Sequence, residues 1–243
     1  MINYIRFKIK KIFFLNNLII FIKFLFGLGL EKEAKYIKKN YQFNISADIG
    51  SNTGHFTNML SKISNKVYSF EPINYLYKSQ KYLFKNSNVT NFNCALGSKK
   101  QRKKFYIPIN NDPESSLIKK KKSKIINVDV NKGDDLLKKK IDFIKIDVEG
   151  VELDVLIGLK KIIKKNRPLL LIEIEKRHNQ NYLKVFKFLI NSGYKICYLN
   201  KDKFILKFLH YKNINNFFKK KQNQNKIGTK QYVNNFFFEY IKP

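Results

Sequence analysis

From Phe43 onward, the chain alternates apolar runs of strand length with amphipathic stretches of helix length. The runs that we predict as strands are FNISADIG, KVYSFEP, VTNFNCALG, KFYIPI, KIINVDV, IDFIKIDVEG, LLLIEIE, YKICYL, KFILKF and NNFFFEYI. The predicted helices are HFTNMLSKIS, NYLYKSQKYLFKN, one helix from Val151 through Ile162, and NYLKVFKFLINSG. This alternation is typical of a parallel sheet with helices on both faces. Ligands bind beyond the carboxyl ends of such strands, so functional residues are expected there.

The residues before this pattern differ in character. Ile12–Leu30 is the most apolar stretch of the chain, interrupted by two asparagines and by Lys23. We predict a helical extension over residues 1–42 and one α/β domain over residues 43–243. The length of the apolar stretch leaves three arrangements open: a helix docked on the domain, a basic helix lying on a membrane surface, and a membrane span.

The chain is strongly basic, with 49 Lys and Arg against 18 Asp and Glu and a formal net charge of +31. Only four of these residues are arginines, whereas nucleic-acid readout favours arginine. We therefore predict solvated lysine faces and no specific nucleic-acid partner, although a general attraction to anionic surfaces follows from the charge. Cys94 and Cys197 are far apart and form no CxxC pair. This argues against a disulfide scaffold, so we expect a cytoplasmic protein.

The first motif is DIGSNTG (Asp48–Gly54), in which a strand leads into a glycine turn and then a predicted helix. Gly50 allows a tight turn and a close approach of a ligand, and the N–H groups at the helix start attract a carboxylate or phosphate. The next strand ends at Glu71, 21 residues after Gly50, where an acid can accept hydrogen bonds from both ribose hydroxyls. Together these motifs predict a nucleoside-containing ligand, and an ordinary turn with a surface glutamate stays open as the alternative.

The third motif lies in the run Ile141–Gly150, where Lys145, Asp147 and Glu149 alternate with apolar residues. A period of two sends these three charges to one side of a strand. Burying them inside a covered sheet is unfavourable unless they are paired or lie at the strand end beside a pocket. The pattern therefore favours an active site, with a structural ion-pair cluster as the alternative.

The ordered set of these segments resembles the FkbM-type methyltransferase family. The segments that carry the resemblance are DIGSNTGHFT, VYSFEP, NCALG, SSL, VDVNKGDDLL, IDFIKIDVEGVELDVLIGL and RPLLLIEIE. It implies a Rossmann-like, seven-strand class I methyltransferase fold, with a mostly parallel sheet, helices on both faces and an antiparallel C-terminal strand. It also implies S-adenosylmethionine as cofactor and O-methylation of a hydroxyl, typically of a sugar, glycan or natural product.

The resemblance assigns eight residues to the cofactor: Asp48, Gly50, Asn52, Gly54, Glu71, Cys94, Ala95 and Ser116. In this assignment the glycine turn borders the methionine part, Glu71 holds the ribose, Cys94 and Ala95 flank the adenine, and Ser116 lies on a nearby loop. Three residues are assigned to catalysis beneath the transferring methyl: Lys145, Asp147 and Glu149.

Methyl transfer to a hydroxyl requires in-line approach of the oxygen and removal of its proton. Asp147 or Glu149 is the expected base, and Lys145 would orient it. His178 follows the next strand and is a further candidate, ahead of His55 and His210. Nothing in the spacing of these residues calls for a metal ion, and we predict none.

Two other functions stay open from the sequence. A glycine turn followed by Glu71 would also suit an NAD-dependent oxidoreductase, although the G-x-G-x-x-G spacing of dinucleotide binders is absent. The charge would suit a basic RNA- or membrane-binding Rossmann module without catalysis. We expect peripheral contact with the inner membrane face through residues 1–30. The sequence does not predict the acceptor or the oligomeric state.

Overall fold

The computed structural model describes residues 30–108, 115–118, 123–227 and 229–241. Except for Leu30, the apolar stretch Ile12–Leu30 lies outside the described residues, as does the lysine run 119–122. No helix in the described part of the chain is long and apolar enough to cross a membrane.

The described residues contain eleven strands and eight α-helices. The strands are β1 (Phe43–Ile49), β2 (Ser64–Phe70), β3 (Val89–Phe92), β4 (Ala95–Leu96), β5 (Gln101–Pro108), β6 (Ser123–Asn131), β7 (Phe143–Ile146), β8 (Leu169–Glu173), β9 (Tyr194–Asn200), β10 (Ile205–Phe208) and β11 (Asn235–Tyr240). The helices are α1 (Lys32–Asn40), α2 (His55–Ser61), α3 (Asn74–Leu83), α4 (Gly133–Leu136), α5 (Glu152–Gly158), α6 (Lys160–Asn166), α7 (Tyr182–Asn191) and α8 (Ile214–Lys221).

The large sheet has the strand order β10-β9-β11-β8-β7-β1-β2-β3. Strands β3, β2, β1, β7 and β8 are parallel, whereas β11 runs antiparallel to both β8 and β9. The predicted α/β class, with a mostly parallel sheet and an antiparallel C-terminal strand, is confirmed. Among the described strands this sheet has eight members rather than seven, because β10 folds back onto β9 as an antiparallel edge strand.

A small sheet of β4, β6 and β5 lies beside the large one. The single strand predicted over VTNFNCALG is wrong, because β3 ends at Phe92 and Ala95–Leu96 pairs with β6 instead. Between them, the amide of Asn93 donates to the carbonyls of Glu71 and Pro72 at 2.9 and 3.1 Å. This side chain therefore fixes the point at which the chain leaves the large sheet.

The single helix predicted from Val151 through Ile162 is also wrong, since α5 ends at Gly158 and α6 begins at Lys160. A Cβ at Gly158 would lie 2.0 Å from the carbonyl oxygen of Gly97, so α5 is pressed against the loop after β4. The two carboxylate oxygens of Asp134 accept the amides of Lys161 and Ile162 at 3.0 Å and cap the new helix.

Apolar side chains cover both faces of the large sheet. On one face α5, α6, α7 and α8 pack over β1, β7, β8 and β11. On the other face lie α1 and α2, with Ala34 and Ile37 of α1 fully buried. The Lys201 ammonium lies 3.2 Å from the buried carboxylate of Glu33. The described part of the N-terminal extension is therefore docked on the domain.

A polar row crosses the α1/α2 face of the sheet. Asp48 in β1 lies in register with Ser69 of β2 on one side and with Lys145 of β7 on the other. Strand β7 ends at Ile146, so Asp147 follows the strand and is not inside it. The unfavourable burial of three alternating charges is thus avoided, because only Lys145 lies within the sheet.

Candidate active site

A cavity of about 250 Å³ opens at the carboxyl edge of the large sheet, beyond the ends of β1, β2, β7 and β8. Phe105 of the small sheet closes another side, together with Ser115 and Leu117. By the strand order, Phe70 and the small-sheet residues lie on the β2 side of the cavity, which we call its apolar end. On the β7 and β8 side, which we call its acidic end, lie Asp147, Glu149 and Glu173. This is the position at which open α/β sheets bind ligands.

The glycine turn after β1 is packed against the end of β7. Gly50 has a φ of +81°, and a Cβ built there would lie 1.8 Å from the carbonyl oxygen of Asp147. The Asp147 amide donates to the carbonyl of Ile49 at 2.9 Å. Residue 50 must therefore be glycine, both for its φ and for this contact. Asn52, with a φ of +50°, belongs to the same turn and also lines the cavity.

A fully buried glutamine, Gln80 of α3, holds the turn from below. Its Oε1 accepts a hydrogen bond from Ser69 Oγ at 2.7 Å, and its Nε2 donates to Ser51 Oγ and to the carbonyl of Asn52. Gly54 does not line the cavity; a Cβ there would lie 3.1 Å from Gln80 Cγ. The sequence analysis missed Gln80, because a single polar residue in an amphipathic helix is usually exposed.

Glu71 lines the cavity directly after β2. The backbone N–H of Asn52 donates to Oε2 of Glu71 at 2.7 Å, and the backbone N–H of Ile73 donates to Oε1 at 2.8 Å. Burial raises the pKa of Glu71 to about 7, although these two amides favour the ionised form. The carboxylate is therefore fixed in orientation and changes charge near neutral pH.

Asp48 lies beneath the cavity and does not line it. Its Oδ2 accepts a hydrogen bond from Thr57 Oγ1 at 2.6 Å. Burial raises the pKa of Asp48 to about 6, opposed by the Lys145 charge and by the Thr57 bond. The resemblance implied that Asp48 borders the methionine part of the cofactor. The structure places Asp48 within β1 beneath the cavity, and its contact with the cofactor stays a prediction.

The apolar end of the cavity is lined by Phe70, Cys94, Ala95, Leu96 and Phe105. Cys94 and Ala95 were predicted here as neighbours of the adenine. Burial raises the pKa of the Cys94 thiol, so this side chain stays protonated and serves as a small apolar wall.

Ser116 lies beside the cavity, whereas its neighbour Ser115 lines it. The Ser116 hydroxyl donates to the carbonyl of Glu149 at 2.7 Å and accepts the Ile118 amide at 3.1 Å. Ser116 was predicted to lie on a loop near the cofactor, and a cofactor contact stays a prediction. Its contacts attach the loop of the small sheet to the turn after β7.

Lys145 stands behind the acidic end of the cavity without lining it. Its ammonium lies 2.9 Å from Oδ2 of Asp147, which does line the cavity. Burial alone would lower the pKa of Lys145, but the carboxylates around it raise the pKa above its usual value. Those carboxylates are Asp147, Glu31, Glu173 and Asp48.

Two acids of the cavity, Glu31 and Glu173, were missed by the sequence analysis. Glu31 precedes α1 and accepts a hydrogen bond from Asn235 Nδ2 at 3.1 Å. Glu173 ends β8 and accepts one from Asn234 Nδ2 at 2.7 Å. Burial raises the pKa of Glu173 well above its usual value, and the nearby charge of Asp147 adds to this shift. An acid at the end of an apolar strand was the available signal for Glu173.

Glu149 and His178 form a pair at the rim of the acidic end. His178 Nε2 lies 3.3 Å from Glu149 Oε2 and 3.4 Å from Glu175 Oε2. Glu149 has a φ of +52°, and a Cβ at Gly150 would lie 2.5 Å from the His178 carbonyl oxygen. Glu152 accepts the Gly150 amide at 2.6 Å. The turn after β7 is therefore locked against the loop that carries His178.

None of the three histidines lines the cavity, although His178 lies beside Glu149, which does. His55 Nδ1 lies 2.8 Å from the Thr53 hydroxyl, and the His210 ring lies 4.5 Å from the Phe208 ring. In the part of the chain that the structure describes, no group of three or more His, Cys, Asp or Glu side chains could hold a metal ion.

This arrangement fits a ligand with three distinct parts. The apolar end can enclose a planar base, and Glu71 offers a buried carboxylate to hydroxyl groups. The carboxylates of Glu31, Asp147 and Glu149 favour a positive charge at the far end. S-adenosylmethionine has these parts in this order: adenine, ribose, and a sulfonium with an ammonium group.

Comparisons with known proteins agree with the geometry. A family model described as the Methyltransferase FkbM domain matches residues 48–212. The structure is similar to that of an FkbM methyltransferase from Methylobacillus flagellatus, with a TM-score of 0.51 and 18% identity over 80% of this chain. This chain spans 43% of that one's length. It is also similar to a Streptococcus mutans protein in complex with SAH, with a TM-score of 0.51 and 13% identity, over 86% of this chain and 96% of that one.

A comparison with curated proteins gives no match. The family match covers well over half of the chain, and the structural similarities agree with it in fold. The chain therefore belongs to the FkbM methyltransferase domain family, whose fold is that of the S-adenosylmethionine-dependent class I methyltransferases.

Proposed function

We propose that this protein transfers the methyl group of S-adenosylmethionine to a hydroxyl group of a sugar, glycan or natural product. The observation that carries the proposal is the divided cavity, with apolar walls on the β2 side, the buried Glu71 directly after β2, and carboxylates on the β7 and β8 side. When bound, S-adenosylmethionine supplies an activated methyl group on a positively charged sulfur. The protein's own residues would then bind, orient and deprotonate the acceptor.

Glu149 is the residue that we propose as general base. The Asp147 carboxylate already accepts a hydrogen bond from the Lys145 ammonium at 2.9 Å, so one of its oxygens is engaged within the protein. Glu149 lies at the rim with His178 Nε2 at 3.3 Å, so the acceptor's proton could move onto this pair. Asp147, held in place by Lys145 behind it, would orient the acceptor oxygen toward the methyl group.

Isothermal titration with S-adenosylmethionine tests the cofactor part of this proposal. We expect micromolar binding to the full chain and at least a tenfold loss in Glu71→Ala, because the ribose loses its acceptor and two backbone amides lose theirs. Glu239→Gln is the control. It removes a carboxylate of β11 that pairs with Lys195 of β9 outside the cavity, and this variant should bind normally. Equal binding by Glu71→Ala would contradict the proposed ribose site.

Transfer of a labelled methyl group to a panel of sugars and polyols tests the acceptor part. Product formation with a hydroxyl acceptor is expected, and Glu149→Gln should reduce turnover by about a hundredfold or more while cofactor affinity stays within about twofold. Methylation of amines but not of hydroxyls would exclude the O-methyltransferase assignment.

An NAD-dependent oxidoreductase is less well supported by the cavity. Its acidic end suits a cation, whereas a dinucleotide would bring a second phosphate and more negative charge toward it. NAD belongs in the same titration, and tight NAD binding with no binding of S-adenosylmethionine would reverse the preference.

We also propose a cytoplasmic location with peripheral contact at an anionic membrane surface. The support is the apolar and basic sequence of residues 1–30 and the net charge of +31. A second support is an exposed lysine cluster, which we define as Lys138, Lys139, Lys140, Lys161 and Lys165. In the described residues none of these lysines forms a salt bridge with an acid. Flotation of the full chain with anionic vesicles at low salt tests this contact.

A further inference from the structure

One acid of the cavity comes from outside the region that matches the family. Glu31 precedes α1 and its hydrogen-bond donor Asn235 begins β11, whereas the family match covers residues 48–212. The two residues are 204 positions apart in the chain and are joined at 3.1 Å. The N-terminal extension and the C-terminal strand therefore meet at the cavity.

Glu31 belongs to the acidic end of the cavity. Asn235, which holds it, lies in register with Glu173 at the end of β8. Glu31 and Glu173 both line the cavity, and the charge of each raises the pKa of Lys145. The apolar end, with Phe70 and Phe105, is formed by other elements.

Within the described residues, Glu31 forms no salt bridge, unlike Asp147 and Lys145 at the same end. Lys145 is paired with Asp147 at 2.9 Å, and Glu149 has His178 beside it. Glu31 has an amide as its hydrogen-bond donor, which orients the carboxylate without neutralising it. Because the Glu31 side chain is exposed and lines the cavity, its charge can act on a positive charge in a bound ligand.

We propose that Glu31, oriented by Asn235, is a specificity-determining residue that makes the cavity prefer a positively charged sulfur over a neutral one. This inference rests on the proposed function and adds a residue to it from outside the family match. The site would then favour the methyl donor over its demethylated product. Release of the product after transfer would be aided by the loss of that charge.

The test is a comparison of two affinities in one protein. S-adenosylmethionine carries a sulfonium and S-adenosylhomocysteine carries a neutral thioether, so the ratio of their dissociation constants reports recognition of the charge. In Glu31→Gln we expect the preference for S-adenosylmethionine to fall about fivefold, since the attraction of one solvent-screened charge is modest. The affinity for S-adenosylhomocysteine should change less than twofold.

Two variants of the full chain make the result specific. Glu31→Asp keeps the charge and should retain most of the preference, whereas a residue needed only for packing would be impaired by the shorter side chain. Glu239→Gln, on the same strand as Asn235 but paired with Lys195, removes an equal charge far from the cavity and should leave the ratio unchanged.

The outcomes separate this inference from the proposed function. Binding of neither ligand by the unmodified protein would contradict the proposed function and with it the inference. Normal binding of both ligands, with an unchanged ratio in Glu31→Gln or an equal loss for both, would overturn the role of Glu31 alone. A reduced ratio in Glu31→Gln that Glu31→Asp restores would support it.

Discussion

The two edges of the large sheet differ in charge and in burial. Carboxylates gather at the carboxyl edge, around one buried lysine, whereas exposed lysines gather at the amino edge. At the carboxyl edge, Lys145 and Asp48 are buried, and each has a named partner. At the amino edge, Lys138–Lys140 lead into β7, and the whole lysine cluster is exposed. Burial makes a charge unfavourable unless it is paired, whereas an exposed lysine needs no partner. The buried carboxylates are therefore stronger indicators of a functional site than the more numerous exposed lysines.

The largest effect is expected from a side chain that disrupts the contact between the turn after β1 and the end of β7. Gly50→Ala should lower the free energy of unfolding by about 2–5 kcal/mol, because it adds left-handed backbone strain and a clash with the Asp147 carbonyl. Binding of S-adenosylmethionine should be lost. Urea unfolding and isothermal titration measure the two effects.

Gly193→Ala is the matched control for that change. Gly193 also has a positive φ, of +87°, but a Cβ there would meet the Tyr240 ring, away from the cavity. It should lose about 1–2 kcal/mol for the backbone, together with the cost of shifting the Tyr240 ring, whose Cε2 lies 2.9 Å from that Cβ, and it should keep its cofactor affinity. Equal effects of the two variants would refute a special role for the contact at Gly50.

The next effect tests whether the buried cation is needed at the carboxyl edge. Lys145→Met should lower the free energy of unfolding by about 2–3 kcal/mol, because it leaves Asp48 and Asp147 without their cation. We place the value below that of a fully buried pair because Asp147 is 32% exposed. Adding Asp48→Asn to this variant should restore part of the loss. An unchanged urea midpoint in the single variant would show that the cation is dispensable.

A pH series tests the carboxyl edge without mutation. Burial raises the pKa of Glu71 to about 7 and that of Asp48 to about 6, so the folded apo-protein binds protons that the unfolded chain has released. The contribution of these groups to stability is therefore greatest at low pH and falls as pH rises to about 7. Cofactor affinity should change in the opposite sense and increase about tenfold from pH 6 to pH 8, since the ribose needs the ionised Glu71. The increase should disappear in Glu71→Gln, and a pH-independent affinity in the unmodified protein would contradict this assignment.

The smallest effect is expected at the amino edge. Lys165→Gln should weaken binding to anionic vesicles about fivefold, corresponding to about 1 kcal/mol per lysine near the surface, and should not change cofactor affinity. Lys195→Gln, which removes a lysine already paired with Glu239, is the control. Salt-sensitive binding to RNA without binding to vesicles would overturn the membrane assignment.

The parts of the site that the sequence predicts belong to short local motifs, each at the end of one predicted strand. Gly50 and Glu71 each follow a strand directly, and Asp147 and Glu149 follow β7. Because the carboxyl ends of parallel strands share one edge, these four residues come together at one cavity. The alternation of strands and helices predicts the fold class for the same reason.

The parts that the sequence does not predict depend on contacts between distant segments. Glu31 reaches the cavity because α1 docks on the sheet and Asn235 holds it. Gln80 is buried because the turn above it requires hydrogen-bond partners. The break between α5 and α6 depends on the packing of Gly158 against Gly97. None of these contacts has a periodicity or spacing that a single sequence displays.

The contact between Gly50 and the Asp147 carbonyl also bears on how the molecule folds. It joins residues 97 positions apart across two neighbouring parallel strands, so it forms only after a long loop has closed. One wall of the cavity is therefore missing from any partly folded intermediate in which β7 has not yet docked. A ligand that needs this wall stabilises the fully assembled sheet alone. Its presence would slow global unfolding and raise amide protection in the central strands together, rather than in one loop.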